Sequence, residues 1–257
     1  MAEQIVSDNV KHAYDEFYNK HDEAWRMLGA KFKAQHIIDV CQGHNFKKVL
    51  EVGAGDGSIL KLLAEQNFAP EYHAVEISES GVGHIKARNI TNLKSVSIFD
   101  GYHLPFDDNN FDLIILSHVL EHVEHERLLL RELKRVAAWS VIEVPRDYKA
   151  DVDKKIKHFL AYGHINIYTP TSLRYLLRSE GFEVVADLTS MIEPEVTKFN
   201  TYINQKKPKS LISDLKISAE YTLKKAIICF GGKKKSEAMA NAYTVLCKKA
   251  DEQVNIF

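Results

Sequence analysis

The chain has 257 residues, enough for one α/β domain with a cap or an insertion. A hydrophobic content of 45% supplies an ample core, and a net charge of −1 gives no global nucleic-acid signature. Three cysteines (Cys41, Cys229 and Cys247) form no C-x-x-C pair, which fits a reducing compartment. The first residues show no signal-peptide pattern and no run of 18 apolar residues exists, so a cytoplasmic protein without a membrane span is expected.

Residues 3–42 hold no proline and read as helical. Tyr14, Phe17 and Tyr18 share one face, and Trp25, Leu28, Phe32 and His36 recur at helical spacing. This segment either covers a sheet edge or closes as a lid over a ligand. As a lid it can place Tyr14 or Tyr18 against a cationic centre, Tyr14 toward the substrate and Tyr18 toward a cofactor. Arg26 and Lys33 are then candidates for a ligand carboxylate.

The strongest signal is Val49-Leu50-Glu51-Val52-Gly53-Ala54-Gly55-Asp56-Gly57-Ser58. An apolar strand ends in a carboxylate, passes through a glycine turn and opens a helix at Ile59. A dinucleotide fingerprint wants a third glycine where Ser58 stands, and Glu51 would repel a pyrophosphate. A strand-tip carboxylate suits an ammonium instead, and S-adenosylmethionine carries one and has no phosphate. Glu76 closes the next strand, where an acid can hold both ribose hydroxyls. Ile77 follows it, and Phe99-Asp100-Gly101 follows the third strand.

These stretches, with Leu104-Pro105-Phe106 and Phe111-Asp112-Leu113-Ile114-Ile115, resemble the motifs of class I S-adenosylmethionine-dependent methyltransferases, of the ubiquinone-type and type-11/23 kinds. The resemblance covers roughly residues 46–190 and resumes near the C-terminus. It implies a Rossmann-like sheet of seven strands with the last one antiparallel, an N-terminal helical lid and a C-terminal helical insertion. The corresponding units are residues 1–44, the lid; 45–190, the cofactor-binding core; 191–240, the insertion; and 241–257, the last strand and tail. The cofactor is then S-adenosylmethionine, with S-adenosylhomocysteine as product. Glu51, Gly53, Ala54, Gly55, Asp56, Gly57, Glu76, Ile77, Asp100, Gly101, Ser117 and His118 would line it, with Asp100 on the adenine amino group and Tyr18 and Arg26 from the lid.

Alternation of strand and helix places strands at about 47–52, 72–76, 94–98, 111–117, 139–144, 182–187 and 241–248. Ser117-His118-Val119-Leu120-Glu121-His122-Val123-Glu124-His125 is rich in titratable groups. Ser117 and His118 sit at a strand tip, while Glu121 and His125 are spaced to share a helical face with His122 and Glu124 nearby. Ubiquinone-type O-methyltransferases give a divalent metal here a precedent, yet many class I relatives carry Leu-Glu-His without one, and no metal is expected. In the next helix Leu128, Leu129, Leu133 and Val136 point inward, and Ala137-Ala138-Trp139-Ser140 replaces a Gly-Gly turn.

Residues 146–169 follow a strand tip, where loops build substrate pockets. Arg146, Tyr162 and His164 are the substrate candidates there. Thr169 and Pro170 read as the N-cap and first residue of a helix that ends at Gly181. The candidates for a general base are His164, His118 and His122, in that order.

Residues 190–240 exceed the minimal fold. Between Lys206 and Lys235 nine lysines face only Asp214 and Glu220, and Ile212, Leu215, Ala219, Leu223, Ala226 and Phe230 form a helical stripe. Such a helix packs as a solvated cap, covers an anionic substrate or contacts a membrane surface. The function expected is O-methylation of a polar or anionic small molecule of carbohydrate type, by a monomer or homodimer that does not act on nucleic acid. No Pro-Cys pair and no Asn-Pro-Pro-Tyr-like run is present, which argues against the cytosine C5 and adenine amino chemistries. Other RNA or protein methylation, or a noncatalytic cofactor-binding scaffold, are the alternatives.

Overall fold

A computed structural model describes residues 23–148, 152–161 and 163–250. Tyr14, Tyr18 and Tyr162 lie outside the described residues. In chain order the elements are α1 (Glu23–Val40), β1 (Lys48–Val52), α2 (Ser58–Glu65), β2 (Glu71–Glu76), α3 (Glu79–Ala87), β3 (Leu93–Ile98) and β4 (Phe111–Ser117). Then follow α4 (Glu126–Val136), β5 (Ala137–Pro145), α5 (Ile156–Ala161), α6 (Pro170–Ser179), β6 (Phe182–Ser190), α7 (Pro194–Phe199), α8 (Leu211–Met239) and β7 (Ala242–Lys249).

The seven strands form one sheet in the order β3-β2-β1-β4-β5-β7-β6. β7 runs antiparallel between β5 and β6, and the pairs among β1 to β5 are parallel. Alternating side chains split the core into two layers, because successive strand residues face opposite ways. Leu50, Val52, Ile114, Leu116 and Ile142 pack on the α4–α6 side. Val49, Leu113, Ile115, Val141 and Leu246 pack on the side of α1 and α2. Helix α1 joins that layer through Ala30, Ala34, Ile37 and Val40, an i, i+4, i+7, i+10 face.

The order reverses between β1 and β4, so the crevice beyond their carboxyl ends is the ligand-binding position of such a sheet. Three local expectations are corrected. Leu120–His122 is one 3-10 turn, and Val123 is extended beyond it (φ −92°, ψ 124°), so Glu121 and His125 do not share a helical face. His125 is instead the N-cap of α4. The buried face of α4 is Leu129, Leu130, Leu133 and Val136, leaving Leu128 exposed. Where a Gly-Gly turn was in question, α4 passes directly into β5 at Ala137.

Candidate active site

The turn after β1 runs through Gly53, Gly55 and Gly57 with φ of 69°, 59° and 76°, a left-handed conformation that side chains rarely adopt. It also needs the space. A Cβ on Gly53 would lie 2.6 Å from Val119 Cγ2, because the segment after β4 closes directly over this turn. Backbone N–H groups of Gly53 and Ala54 donate to the Val75 carbonyl at 2.9 and 3.1 Å, which fixes the turn to β2.

Glu51 is 1% exposed, and its Oε2 is buried with no hydrogen-bond partner. Burial raises its pKa well above the ordinary glutamate value, against the pull of the Lys33 charge. A buried carboxylate oxygen left unpaired is costly in the empty protein and suits a cationic ligand group. Glu76 is also buried, and burial raises its pKa despite its hydrogen bonds. Its Oε2 accepts from Gly55 N at 3.0 Å, and Oε1 accepts from Ser78 Oγ at 3.1 Å. Asp100 Oδ1 accepts from the backbone N–H of Tyr102 and His103 at 2.8 and 2.6 Å, and its side chain is half exposed at the rim. The orphaned oxygen of Glu51 and the bare glycine backbone beside it fit S-adenosylmethionine. Glu51 would face its ammonium, Glu76 its ribose and Asp100 its adenine.

Asp56 is already engaged. Arg26 Nε donates to its Oδ2 at 2.6 Å and Arg88 Nη2 at 2.5 Å, while Ser58 Oγ donates to Oδ1 at 2.5 Å. Burial raises the Asp56 pKa, but these donors outweigh it and hold the group below the ordinary range. Arg26 thus ties α1 to the glycine turn.

His118 stands just past β4 with φ +56°. Its backbone N–H donates to Glu143 O at 2.9 Å, its Nε2 lies 3.1 Å from Glu143 Oε1 and its Nδ1 lies 3.4 Å from Glu121 Oε1. Burial and the Lys33 charge disfavour the imidazolium, yet the two carboxylates win and raise the His118 pKa. Glu143 also takes His36 Nδ1 at 2.9 Å and Thr244 Oγ1 at 2.6 Å. Burial pushes Glu143 up, but the bonds from His118 and His36 hold it far below the ordinary range. His118 between two buried carboxylates, which favour its imidazolium form, joins β4 to β5, and Glu143 carries the link on to α1 and β7 at the rim.

A second group lies after β5. His164 Nδ1 is 2.5 Å from Asp147 Oδ2, and His122 Nδ1 donates to Gly163 O at 2.9 Å. The two rings meet edge to face with centroids 4.9 Å apart. Burial lowers the His122 pKa, favouring the neutral ring. Glu121, His122 and His164 bring ligand atoms within 4.8 Å of one another, a set able to share a proton or a divalent cation. Arg146 lies at the end of β5 beside Asp147, and its Nε and Nη1 are buried without hydrogen-bond partners. Burial lowers its pKa. The sequence assigns no role to Asp147 in the loop after β5 or to Glu143 at the strand end, because their partners lie 17 and 25 or more positions away. A carboxylate at or just after a strand end was the only signal available.

Comparison with known proteins agrees with this geometry. A family model described as a methyltransferase domain, of type 23, matches residues 23–187. The Bacillus subtilis protein YrhH, named as a methyltransferase, is 27% identical across 46% of this chain and 69% of its own length. A ubiquinone/menaquinone biosynthesis C-methyltransferase of Cupriavidus necator is 33% identical across 51% of this chain and 56% of its own length. The chain thus spans little more than half of that relative. The crystal structure of an Archaeoglobus fulgidus S-adenosylmethionine-dependent methyltransferase shares the fold, with a TM-score of 0.59 at 21% identity over 91% of this chain and 100% of that one. On the strength of the domain match, the chain belongs to the type-23 methyltransferase-domain family of S-adenosylmethionine-dependent methyltransferases.

Proposed function

We propose that the protein methylates a hydroxyl of a polar, anionic small molecule of carbohydrate type, with His164 as the general base. The observation that carries this reading is the pairing of His164 with Asp147 next to Arg146. With Nδ1–H donated to Asp147, the tautomer leaves Nε2 as the basic nitrogen. The Arg146 guanidinium, with two buried unpaired nitrogens, offers a fork for a phosphate or carboxylate.

S-adenosylmethionine supplies an activated methyl group when bound. The protein has three tasks around it. Glu51, the glycine turn and Glu76 fix the donor's orientation. Val119 and the α1 side, held by Arg26 on Asp56 and by His36 on Glu143, cover the rim and limit water. His164 takes the acceptor proton at Nε2, and Asp147 stabilises the resulting imidazolium. Glu121 and Glu143 favour the imidazolium form of His118, so its place in this scheme is electrostatic support rather than proton removal.

Steady-state kinetics on anionic sugar acceptors test the reading. His164→Gln is expected to lower kcat by about 10²–10⁴-fold. Arg146→Ala is expected to raise the acceptor KM by about tenfold or more, with little change in kcat. A His164→Gln enzyme with wild-type kcat would overturn the base assignment. The Cupriavidus necator relative bears a C-methyltransferase name. Product NMR separates the two acceptor atoms, and a methyl on carbon would overturn the hydroxyl assignment.

A further inference from the structure

Helix α8 has 29 residues and turns at Gly232, where φ is +63°. One face is fastened to the body. Tyr221 Oη donates to Glu193 Oε1 at 2.7 Å, Tyr202 Oη donates to Asp214 Oδ1 at 2.8 Å, and Lys233 Nζ donates to Asp187 Oδ2 at 2.9 Å. The opposite face carries Leu211, Ile212, Leu215, Leu223 and Phe230, which are 83%, 79%, 71%, 63% and 92% exposed. Their spacings of three, four, seven and eight put them in one stripe along the helix. Among the described residues, the three most exposed large apolar side chains, Phe230, Leu211 and Ile212, all belong to this stripe, and none of the described residues covers it.

Charge identifies the occupant. Lys216 and Lys225 border the stripe, Lys206, Lys207 and Lys209 precede it, and Lys233 to Lys235 follow it. The remainder of the chain is net acidic, since the whole carries −1. Lysines along both borders can lay their stems on apolar surface while their ammonium groups reach outward to anionic headgroups. No helix among the described residues is long and apolar enough to cross a membrane, so the contact lies on a bilayer and does not span it.

Position adds a consequence. The insertion leaves the sheet at the end of β6 and returns at the start of β7, where Asn241 N donates to Ser190 O at 2.7 Å. Arg146 N donates to Asn241 O at 2.8 Å. Helix α8 therefore rises from the rim that holds Arg146 and Asp147. We propose that the outer face of α8 docks the protein on an anionic lipid bilayer, with the acceptor side of the rim close to that surface. This holds whichever acceptor the enzyme uses.

Sedimentation of the full-length protein with vesicles tests it. The vesicles are phosphatidylcholine alone, or an equal mixture with phosphatidylglycerol, each at low and high salt. At least about tenfold more protein is expected on the anionic vesicles at low salt, and most of it is released at high salt. Leu215→Glu with Leu223→Glu, both at exposed sites, should abolish pelleting while circular dichroism and S-adenosylhomocysteine binding stay unchanged. A fluorophore on Cys229 reports the same event as a blue shift, because Cys229 is exposed while Cys41 and Cys247 are buried. Absence of pelleting on anionic vesicles at low salt would overturn the proposal, as would equal pelleting of the glutamate variant. A solution dimer that the glutamate variant dissociates, without vesicle binding, would also overturn it and give the face to a second copy.

Discussion

At the tip of β1, Glu51 keeps a buried oxygen unpaired in the ligand-free protein. Its folded pKa lies above the unfolded value, so the folded state binds the extra proton and stability falls as pH rises through the folded pKa. Glu51→Gln removes the charge and keeps the shape. The ligand-free variant is expected to gain roughly 1 kcal/mol at neutral pH, a rise in Tm of about 2–4 °C, and a flatter Tm-against-pH curve. Calorimetry at several pH values checks this, and a lower Tm would contradict it. Substituting His118 has the opposite effect on stability. Asparagine tolerates its left-handed backbone, so His118→Asn removes the cation without a backbone penalty and leaves Glu121 and Glu143 facing each other. A loss of about 3 kcal/mol is expected in denaturant unfolding. The His118 contribution is complete below the ordinary histidine pKa and fades as pH rises through its raised folded value. The Glu143 contribution is present above the ordinary glutamate pKa and fades as pH falls through its lowered value. The gap between wild type and His118→Asn should therefore be widest at mildly acidic pH, and a gap independent of pH would contradict the ion triad.

Helix α1 is held by few but strong polar contacts. Arg26 and Arg88 converge on Asp56, His36 reaches Glu143, and Lys31 Nζ donates to Glu195 Oε2 on α7 at 2.8 Å. Asp56→Ala leaves two guanidinium groups without their shared carboxylate. Amide exchange in α1 is expected to quicken by about tenfold or more, while β4 and β5 keep their protection. Uniform acceleration across the sheet would show global destabilisation instead of a released cover. The strands were legible as short runs rich in apolar residues, some closed by a punctuating residue, as β1 is before Gly53 and β5 is at Pro145. The start of α6 was legible because Thr169 and Pro170 form a local cap, and Thr169 Oγ1 accepts from Ser172 N at 3.0 Å. The segment from Leu120 to His125 was not, since a single 3-10 turn leaves no period to read. One member of the inward face of α4 was misassigned for a related reason, Leu128 in place of Leu130, while Leu129, Leu133 and Val136 are buried as expected. Its Leu-Leu-Leu run fits two neighbouring faces, and only packing chooses between them.

Across the whole molecule, the arrangement at the tips of β1 and β2 was legible and that beyond β5 much less so. Glu51 through Gly57 and Glu76 are brought together by two adjacent strands and one turn, so strand and turn rules place them. The Asp147–His164 pair, the Arg26–Asp56 clamp and the Glu143 hub depend on segments brought together by the completed sheet. The basic stripe of α8 was visible as a pattern, while its exposure and its origin at the rim required the fold. We propose that this rim holds S-adenosylmethionine through the Glu51 carboxylate. Isothermal titration with S-adenosylmethionine, S-adenosylhomocysteine and NAD, on wild type and Glu51→Gln, tests it most directly. Both adenosyl ligands are expected to bind wild type and to lose at least about tenfold in affinity with Glu51→Gln, the loss of a charge-assisted contact. Wild-type affinity is expected to rise with pH through the Glu51 pKa, and the variant should show no such rise. Binding of NAD alone, or adenosyl-ligand affinity unchanged by Glu51→Gln, would rule out that role for Glu51.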